Sequence, residues 1–376
     1  MELENIFKEY NKNYLSEISH KLNKAEGVVI FGAGILGKKI ANHLRKENFN
    51  ILCFVDNNEI FWGNKIDEIP VISLADASKK FPTSICIIAI WNPLYHYALI
   101  KKQLADFKFA SIVHAAQIMQ IYSNDLLPHY HFQSPDFYFD NKILINDAYS
   151  LLNDEESKKQ YLNQLKYRLQ INFDCIPVPD TKNQYFPNDI IHFKENEVFL
   201  DAGAYDGDTF IEFSNRVNNK YDKYIALEPD PKNYAQIKLN LQNRINLIID
   251  PYAVGAKHEF LKFSSTGGEG ASINNDGDIS VECVSIDEKY LNLKPTFLKF
   301  DIEGAELDAL RGAINVIKEM TPTIAVCIYH KPQDIFEIPL WINEVNPNYN
   351  FYVRTHGSDG FEFVLYAIPK NNNETI

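Results

Sequence analysis

Two rhythms of apolar residues run along the chain. In the first, short β-type runs alternate with helical stretches from residue 27 onward: Val28–Phe31, Ile51–Val55, Ile69–Leu74 and Ser84–Ile90 each have strand length, and the residues after Gly34 show helical spacing. The same grammar returns further on, in the runs beginning at Glu197, Tyr224, Ile245, Thr296 and Thr323. Strands alternating with helices at this spacing predict parallel sheets in α/β domains. Before the first strand, Leu3, Ile6, Phe7, Tyr10, Tyr14, Ile18 and Leu22 predict an amphipathic helix over 2–23.

The stretch between the two βαβ patterns is different. Leu127–Asp140 is rich in aromatic residues, Pro and Asn. It is followed by a run with acids in its first turn and an apolar stripe of Tyr161, Leu162, Leu165 and Leu169, which predicts a helix over about 153–171. Pro177, Pro179 and Pro187 then favour extended or turn structure. The expected organisation is an N-terminal Rossmann-like domain over 1–114, a partly helical connector over 115–194 and a second Rossmann-like domain over 195–376.

Composition narrows the function classes. The chain has 376 residues, too many for one ordinary core and about right for two domains. Its formal charge is -13, which disfavours nucleic acid as a partner because acidic surfaces repel phosphate backbones. The first ten residues lack a signal-peptide pattern, and the longest apolar runs are strand-sized, so neither secretion nor a membrane span is expected. The five cysteines show no C-x-x-C spacing; four lie in apolar runs where a thiol acts as a small hydrophobe. A reducing cytoplasm fits this pattern, and a homo-oligomer is among the assemblies the sequence allows.

Each domain opens on a glycine turn. In the first, Gly32, Gly34 and Gly37 stand in G-x-G-x-x-G order after a strand, and Asp56 ends the next strand 19 residues beyond Gly37. That context fits a nucleotide site, with a helix N-terminus for phosphate and an acid for a ribose hydroxyl. No catalytic pair accompanies it, so an NAD(P)-dependent oxidoreductase is the weaker alternative. The stretch resembles the small Rossmann-like domain found on sugar acyltransferases and some sugar-modifying enzymes, which implies a nucleotide or a nucleotide sugar.

The second turn is D-x-G-x-x-x-G, with Asp201, Gly203 and Gly207 and with Tyr205, Asp208 and Thr209 around them. Its spacing suits S-adenosylmethionine, which has no pyrophosphate to seat on a helix N-terminus. Gly203 is expected to let backbone approach the ligand, and Asp201 to face the methionine ammonium or water beside it. Glu228 ends the following strand, where it could accept ribose hydroxyls; Asp250 and Ala253 fall at the adenine end. The run from Thr296 delivers Lys299, Asp301, Glu303, Gly304 and Glu306 to the same edge, where open α/β sheets collect ligands.

These residues resemble the FkbM-type methyltransferases, class I enzymes associated with O-methylation of sugars or polyketides. The likeness rests on 201–209, Glu228-Pro229-Asp230, 298–306 with 310–313, and 328–339. Tyr167-Arg168-Leu169 and 185–190 extend it to a subgroup with a preceding Rossmann-like domain. The block 299–306 is the specific part, because the glycine turn alone occurs throughout the class. The resemblance implies S-adenosylmethionine as cofactor and in-line methyl transfer to a hydroxyl of a sugar, nucleotide sugar or glycan precursor.

A hydroxyl needs to lose its proton, which calls for a base or a metal. Asp301 and Glu303 are expected to orient the acceptor, or else to cap the helix from Ala305. His330, at a strand end, is the candidate base, and His356 a more distant one. The residues leave metal dependence open, and a non-catalytic nucleotide-sugar-binding protein is a further alternative.

Overall fold

The computed structural model describes residues 2–11, 13–92, 96–176, 178–264, 272–273, 277 and 279–370. The chain divides into two compact units. One holds the residues up to Asn141 with Leu162–Val178 and Gly357–Phe361; the other holds Lys142–Tyr161, Pro179–His356 and the residues from Glu362.

The first unit is built on a six-stranded sheet of β1 (Val28–Phe31), β2 (Ile51–Val55), β3 (Lys65–Ile66), β4 (Ile69–Ile72), β5 (Ile85–Ile88) and β6 (Ser111–His114), in the order β3-β4-β2-β1-β5-β6. All pairs are parallel except the short β3–β4 hairpin. Parallel strands covered on both faces need continuous apolar runs, and β1 and β5 are buried at every residue. Period-two alternation sorts the side chains. Val28, Ile30, Ile85 and Ile87 pack with Ile40, Ala41 and Leu44, while Val29, Phe31, Cys86 and Ile88 pack with Leu74, Ile100 and Leu104.

The helix expected over 2–23 is two helices, Glu2–Lys8 and Tyr14–Lys24. The Asn11 side chain accepts the Asn13 amide at 2.9 Å, a local bond of the kind that competes with helix continuation. Between the sheets the chain is largely helical, with Ala115–Ile121, Ser123–Leu126, Pro135–Asp140, Lys142–Ser150 and Glu155–Gln170. Glu155–Gln170 corresponds to the helix expected over about 153–171. Asp154 precedes it and accepts the Ser157 amide at 2.7 Å.

The second unit contains a seven-stranded sheet of β7 (Val198–Ala202), β8 (Lys223–Leu227), β9 (Leu247–Asp250), β14 (Phe297–Phe300), β15 (Thr323–Cys327), β16 (Tyr349–Thr355) and β17 (Phe363–Pro369). Its order is β16-β17-β15-β14-β7-β8-β9. The strands from β9 to β15 run parallel, and β17 enters antiparallel between β15 and β16. The order reverses between β7 and β14, which makes their C-terminal ends the switch point where such sheets bind ligands. A smaller sheet, ordered β10-β13-β11-β12, is formed by β10 (Ala253–Val254), β11 (Glu259–Ser264), β12 (Ser272–Ile273) and β13 (Ile279–Val284).

Most of the glycine-rich stretch 264–278, expected as a lid or a hairpin loop, lies outside the described residues, as does the tail beyond Lys370. Among the described residues no helix is long and apolar enough to cross a membrane. All five cysteines are free thiols.

Candidate active site

The second unit's glycine turn follows β7 directly. Gly203 adopts φ +82, and a Cβ there would sit 1.9 Å from the Asp301 carbonyl oxygen. Glycine is therefore required for packing of the turn against the end of β14. Gly207, also left-handed, opens the helix Asp208–Arg216, with Thr209 buried and Asp208 exposed.

Asp201 is fully buried. Parallel register places it beside Lys299 on β14, whose Nζ approaches Asp201 Oδ1 to 3.0 Å; both side chains are at most 2% exposed. Tyr224 donates its hydroxyl to the other carboxylate oxygen. Lys299 also donates to the Gly203 carbonyl at 2.6 Å, so this buried pair fixes the turn from beneath. Burial pushes the Asp201 carboxyl upward against the opposing pull of Lys299.

Glu228, at the end of β8, binds the turn through backbone amides. Its oxygens accept the Tyr205 amide at 3.0 Å and the Asp230 amide at 2.9 Å. Burial raises its carboxyl to about 7. Tyr205, at φ +47, is the turn residue whose amide is held. Asp250, at the end of β9, accepts the Tyr290 hydroxyl at 2.7 Å. Ala253 lies on the small sheet, buried beside Cys283 of β13.

The ends of β14 and β15 carry a second group of charges. Asp301 accepts the Tyr185 hydroxyl at 2.6 Å. His330 lies between carboxylates: Nδ1 is 2.8 Å from Glu306 Oε1, and Nε2 is 3.5 Å from Asp301 Oδ1 and 3.9 Å from Glu303 Oε2. Asp301 and Glu303 are 22% and 23% exposed, while the His330 and Glu306 side chains are nearly inaccessible. Burial alone would lower the imidazole, yet Glu306, with Asp301 and Glu303 behind it, raises it to about 10. The surrounding carboxylates thus favour the protonated ring. Burial opposes ionisation of Asp301 too, but Lys299 and His330 hold its carboxyl below the usual range.

The cap of the following helix also differs from expectation. Ala305 occupies the N-cap without a side-chain bond, and the Ile302 and Gly304 amides go to Glu306 Oε1 at 3.0 and 3.2 Å. His356 is a core residue, with Nδ1 2.7 Å from the Asp180 carbonyl and Nε2 2.7 Å from the Tyr366 hydroxyl. Glu306 stood within the sequence block read as specific, without an assigned role. Glu362 had no sequence signal; it bonds Tyr329 and Gln184, and burial, with Asp301 nearby, pushes it to about 8.

The first unit's turn repeats the Glu228 arrangement. Asp56 accepts the Ala33 amide at 3.0 Å and the Asn58 amide at 2.9 Å. A Cβ on Gly37 would meet the Gly32 carbonyl oxygen at 1.9 Å, so that glycine serves helix packing. Gly34 faces open space and a Cβ there meets nothing within 4 Å.

Strand order and switch point together define the second unit as a class I methyltransferase fold. Residues 201–352 match the family model described as Methyltransferase FkbM domain, and residues 24–111 match the one described as C2185-like, N-terminal. The chain thus carries a S-adenosylmethionine-dependent methyltransferase domain and is an enzyme of that class. A crystal structure of Methyltransferase FkbM from Methylobacillus flagellatus KT is similar in fold, with a TM-score of 0.77 and 18% identity over 95% of this chain and 94% of that one. Fibrillarin from Aeropyrum pernix, solved with natively bound S-adenosyl-L-methionine, covers 46% of this chain and 67% of its own at 13% identity, with a TM-score of 0.31. For precorrin-6y C5,15-methyltransferase from Geobacter metallireducens GS-15 the shares are 47% and 82%, the identity 14% and the TM-score 0.30. No curated protein matches the chain.

Proposed function

We propose that this protein transfers the methyl group of S-adenosylmethionine in line to a hydroxyl of a sugar, a nucleotide sugar or a glycan precursor. The supporting observation is the convergence on one sheet edge, within the stretch that matches the FkbM domain, of the 203–207 turn, Glu228 and the Asp301–Glu303–His330 group. The turn, Glu228 and Asp250 bind the cofactor, with Asp201 and Lys299 acting beneath them as positioning residues. Asp301 and Glu303 are the carboxylates an acceptor can reach, and they orient its hydroxyl. As the new C–O bond forms and the S–CH3 bond breaks, S-adenosylhomocysteine leaves with the sulfur electron pair and the hydroxyl proton passes to a carboxylate. Holding the oxygen in line with the methyl group supplies much of the rate. The Gly32–Gly37 turn and Asp56 bind a nucleotide or nucleotide sugar; Gly34 offers the open approach such a ligand needs. A cytoplasmic location accords with the free thiols.

Calorimetry with S-adenosylhomocysteine, NADH and UDP-sugars tests the reading, followed by release of S-adenosylhomocysteine from S-adenosylmethionine over a panel of hydroxyl acceptors. The expected result is S-adenosylhomocysteine binding that Glu228→Ala abolishes, with turnover on at least one sugar-containing acceptor. NADH binding without S-adenosylhomocysteine binding would refute it in favour of the oxidoreductase alternative. UDP-sugar binding without any methyl transfer would favour a non-catalytic binder.

A further inference from the structure

The His330 side chain is 2% exposed and the Glu306 side chain 1%, yet neither ring nitrogen nor Oε2 of the carboxylate makes a hydrogen bond, Nδ1 having only its 2.8 Å ion-pair contact with Glu306 Oε1. Buried polar atoms are seldom left this way. The oxygens facing Nε2 stand at 3.5 Å on Asp301 and 3.9 Å on Glu303, beyond hydrogen-bond reach. With metal–ligand bonds of about 2.1 Å, two ligands at right angles lie about 3.0 Å apart, and at tetrahedral angles about 3.4 Å. The gap between Nε2 and Asp301 is therefore close to the separation of two ligands of one cation. Asp301, Glu306 and His330 each offer an atom within 4.8 Å of the others.

We propose that His330 through Nε2 and Asp301 through Oδ1, with Glu303 at the rim, bind one divalent cation, Glu306 holding the ring from its other nitrogen. The remaining contacts fit this reading. Glu306 Oε1 lies against Nδ1 at 2.8 Å, the arrangement in which a carboxylate orients a metal-ligating imidazole and fixes its other nitrogen toward the ion. It also accepts two backbone amides, which anchors it. The Tyr185 hydroxyl holds Asp301 Oδ2, leaving Oδ1 directed at the ring. Nearby charge favours a cation, since the five acids Asp301, Glu303, Glu306, Asp334 and Glu362 outnumber the bases Lys299, His330 and Lys331, and Lys299 is taken by Asp201.

Oxygen and imidazole ligands select a hard or borderline ion such as Mg2+, Mn2+ or Zn2+. Asp301 and Glu303 are the exposed members, so the ion's open positions face the accessible side, where an acceptor hydroxyl or two neighbouring hydroxyls could coordinate. Coordination there would acidify the hydroxyl. This catalytic consequence rests on the methyl-transfer reading; the binding of the ion does not.

Mn2+ is the probe, followed by electron paramagnetic resonance and calorimetry on the full chain after chelation and dialysis. The expected result is one bound Mn2+ per chain, displaced by Zn2+ or Mg2+. Asp301→Asn, which keeps an acceptor for Tyr185, should weaken it about tenfold or more, and His330→Gln should do the same. Glu337→Gln, at a half-buried position of the neighbouring helix Asp334–Val345, should leave it unchanged. Absence of Mn2+, Mg2+ and Zn2+ binding to folded wild type would overturn the proposal, as would binding undiminished in Asp301→Asn. S-adenosylhomocysteine calorimetry on the same samples keeps the two readings apart: cofactor binding without metal binding defeats only this inference, and metal binding without cofactor binding defeats only the methyl-transfer reading.

Discussion

Lys299→Met isolates the buried pair beneath the cofactor turn. The substitution keeps the length and apolar stem of the side chain but removes the only cation within ion-pair reach of Asp201 among the described residues. Asp201, fully buried, must then either remain as an uncompensated charge or take up a proton. Protonating a carboxyl with an ordinary value of about 3.9 at pH 7 costs about 1.4 kcal/mol per unit, or about 4 kcal/mol in all. That figure falls within the roughly 3–5 kcal/mol observed when one member of a buried pair is deleted. Lys299 also loses its bond to the Gly203 carbonyl, so the turn loosens along with the sheet edge.

The pH dependence follows from linkage. In the variant, folded Asp201 holds a proton that the unfolded chain releases above about pH 4, so the folded state binds more protons and stability rises as pH falls. The deficit relative to wild type should shrink from about 4 kcal/mol at pH 7 to about 1.5 kcal/mol at pH 5. Urea unfolding followed by circular dichroism at pH 5, 6 and 7 reads this directly. At about 2–4 °C per kcal/mol, the melting temperature at pH 7 should fall by roughly 8–16 °C. The Lys299→Met/Asp201→Asn double variant should lose most of the pH dependence. A single-variant loss below about 1 kcal/mol at pH 7, or one that does not shrink toward pH 5, would refute the argument.

Gly203→Ala should lose S-adenosylhomocysteine binding and several °C of melting temperature, because its Cβ meets the Asp301 carbonyl at 1.9 Å; Gly34→Ala, with nothing within 4 Å, should melt within a few °C of wild type. Calorimetry and thermal melts on both variants check the contrast. Glu228 has a folded value near 7, above its unfolded one, so its stabilising contribution is complete below about pH 4.3 and is lost as pH rises to about 7. Glu228→Gln should therefore gain stability relative to wild type over that window, by up to about 1.4 kcal/mol per pH unit in chemical unfolding. His330, raised to about 10 by Glu306 and its neighbours, should show ring NMR signals that do not titrate between pH 6 and 9 in metal-free protein. A midpoint near 6.5 would show that the carboxylates do not hold its proton. Its ion pairs contribute fully below the unfolded value and are lost as pH passes about 10.

Local chemistry made the architecture readable. Apolar runs of strand length, the turns at Gly32 and Gly203 and the stripe from Tyr161 to Leu169 each encode their element within a few neighbours, and the structure has these elements. The break at Asn11 was less legible, since it depends on one side chain winning an amide from the helix. The site divides along the same line. Sequence brought Asp201, Glu228, Asp301, Glu303 and His330 to strand ends, because a strand end is a local property. What each side chain faces was decided by strand order and register. Lys299 lies 98 residues from Asp201 in the chain but opposite it in the sheet, so Asp201 is held in a buried ion pair that the sequence did not show. Glu306 meets His330 only because β14 and β15 are neighbours, and that contact favours the protonated ring. Coulomb energies between buried groups depend on distances of a few ångströms, and only the assembled sheet fixes those distances.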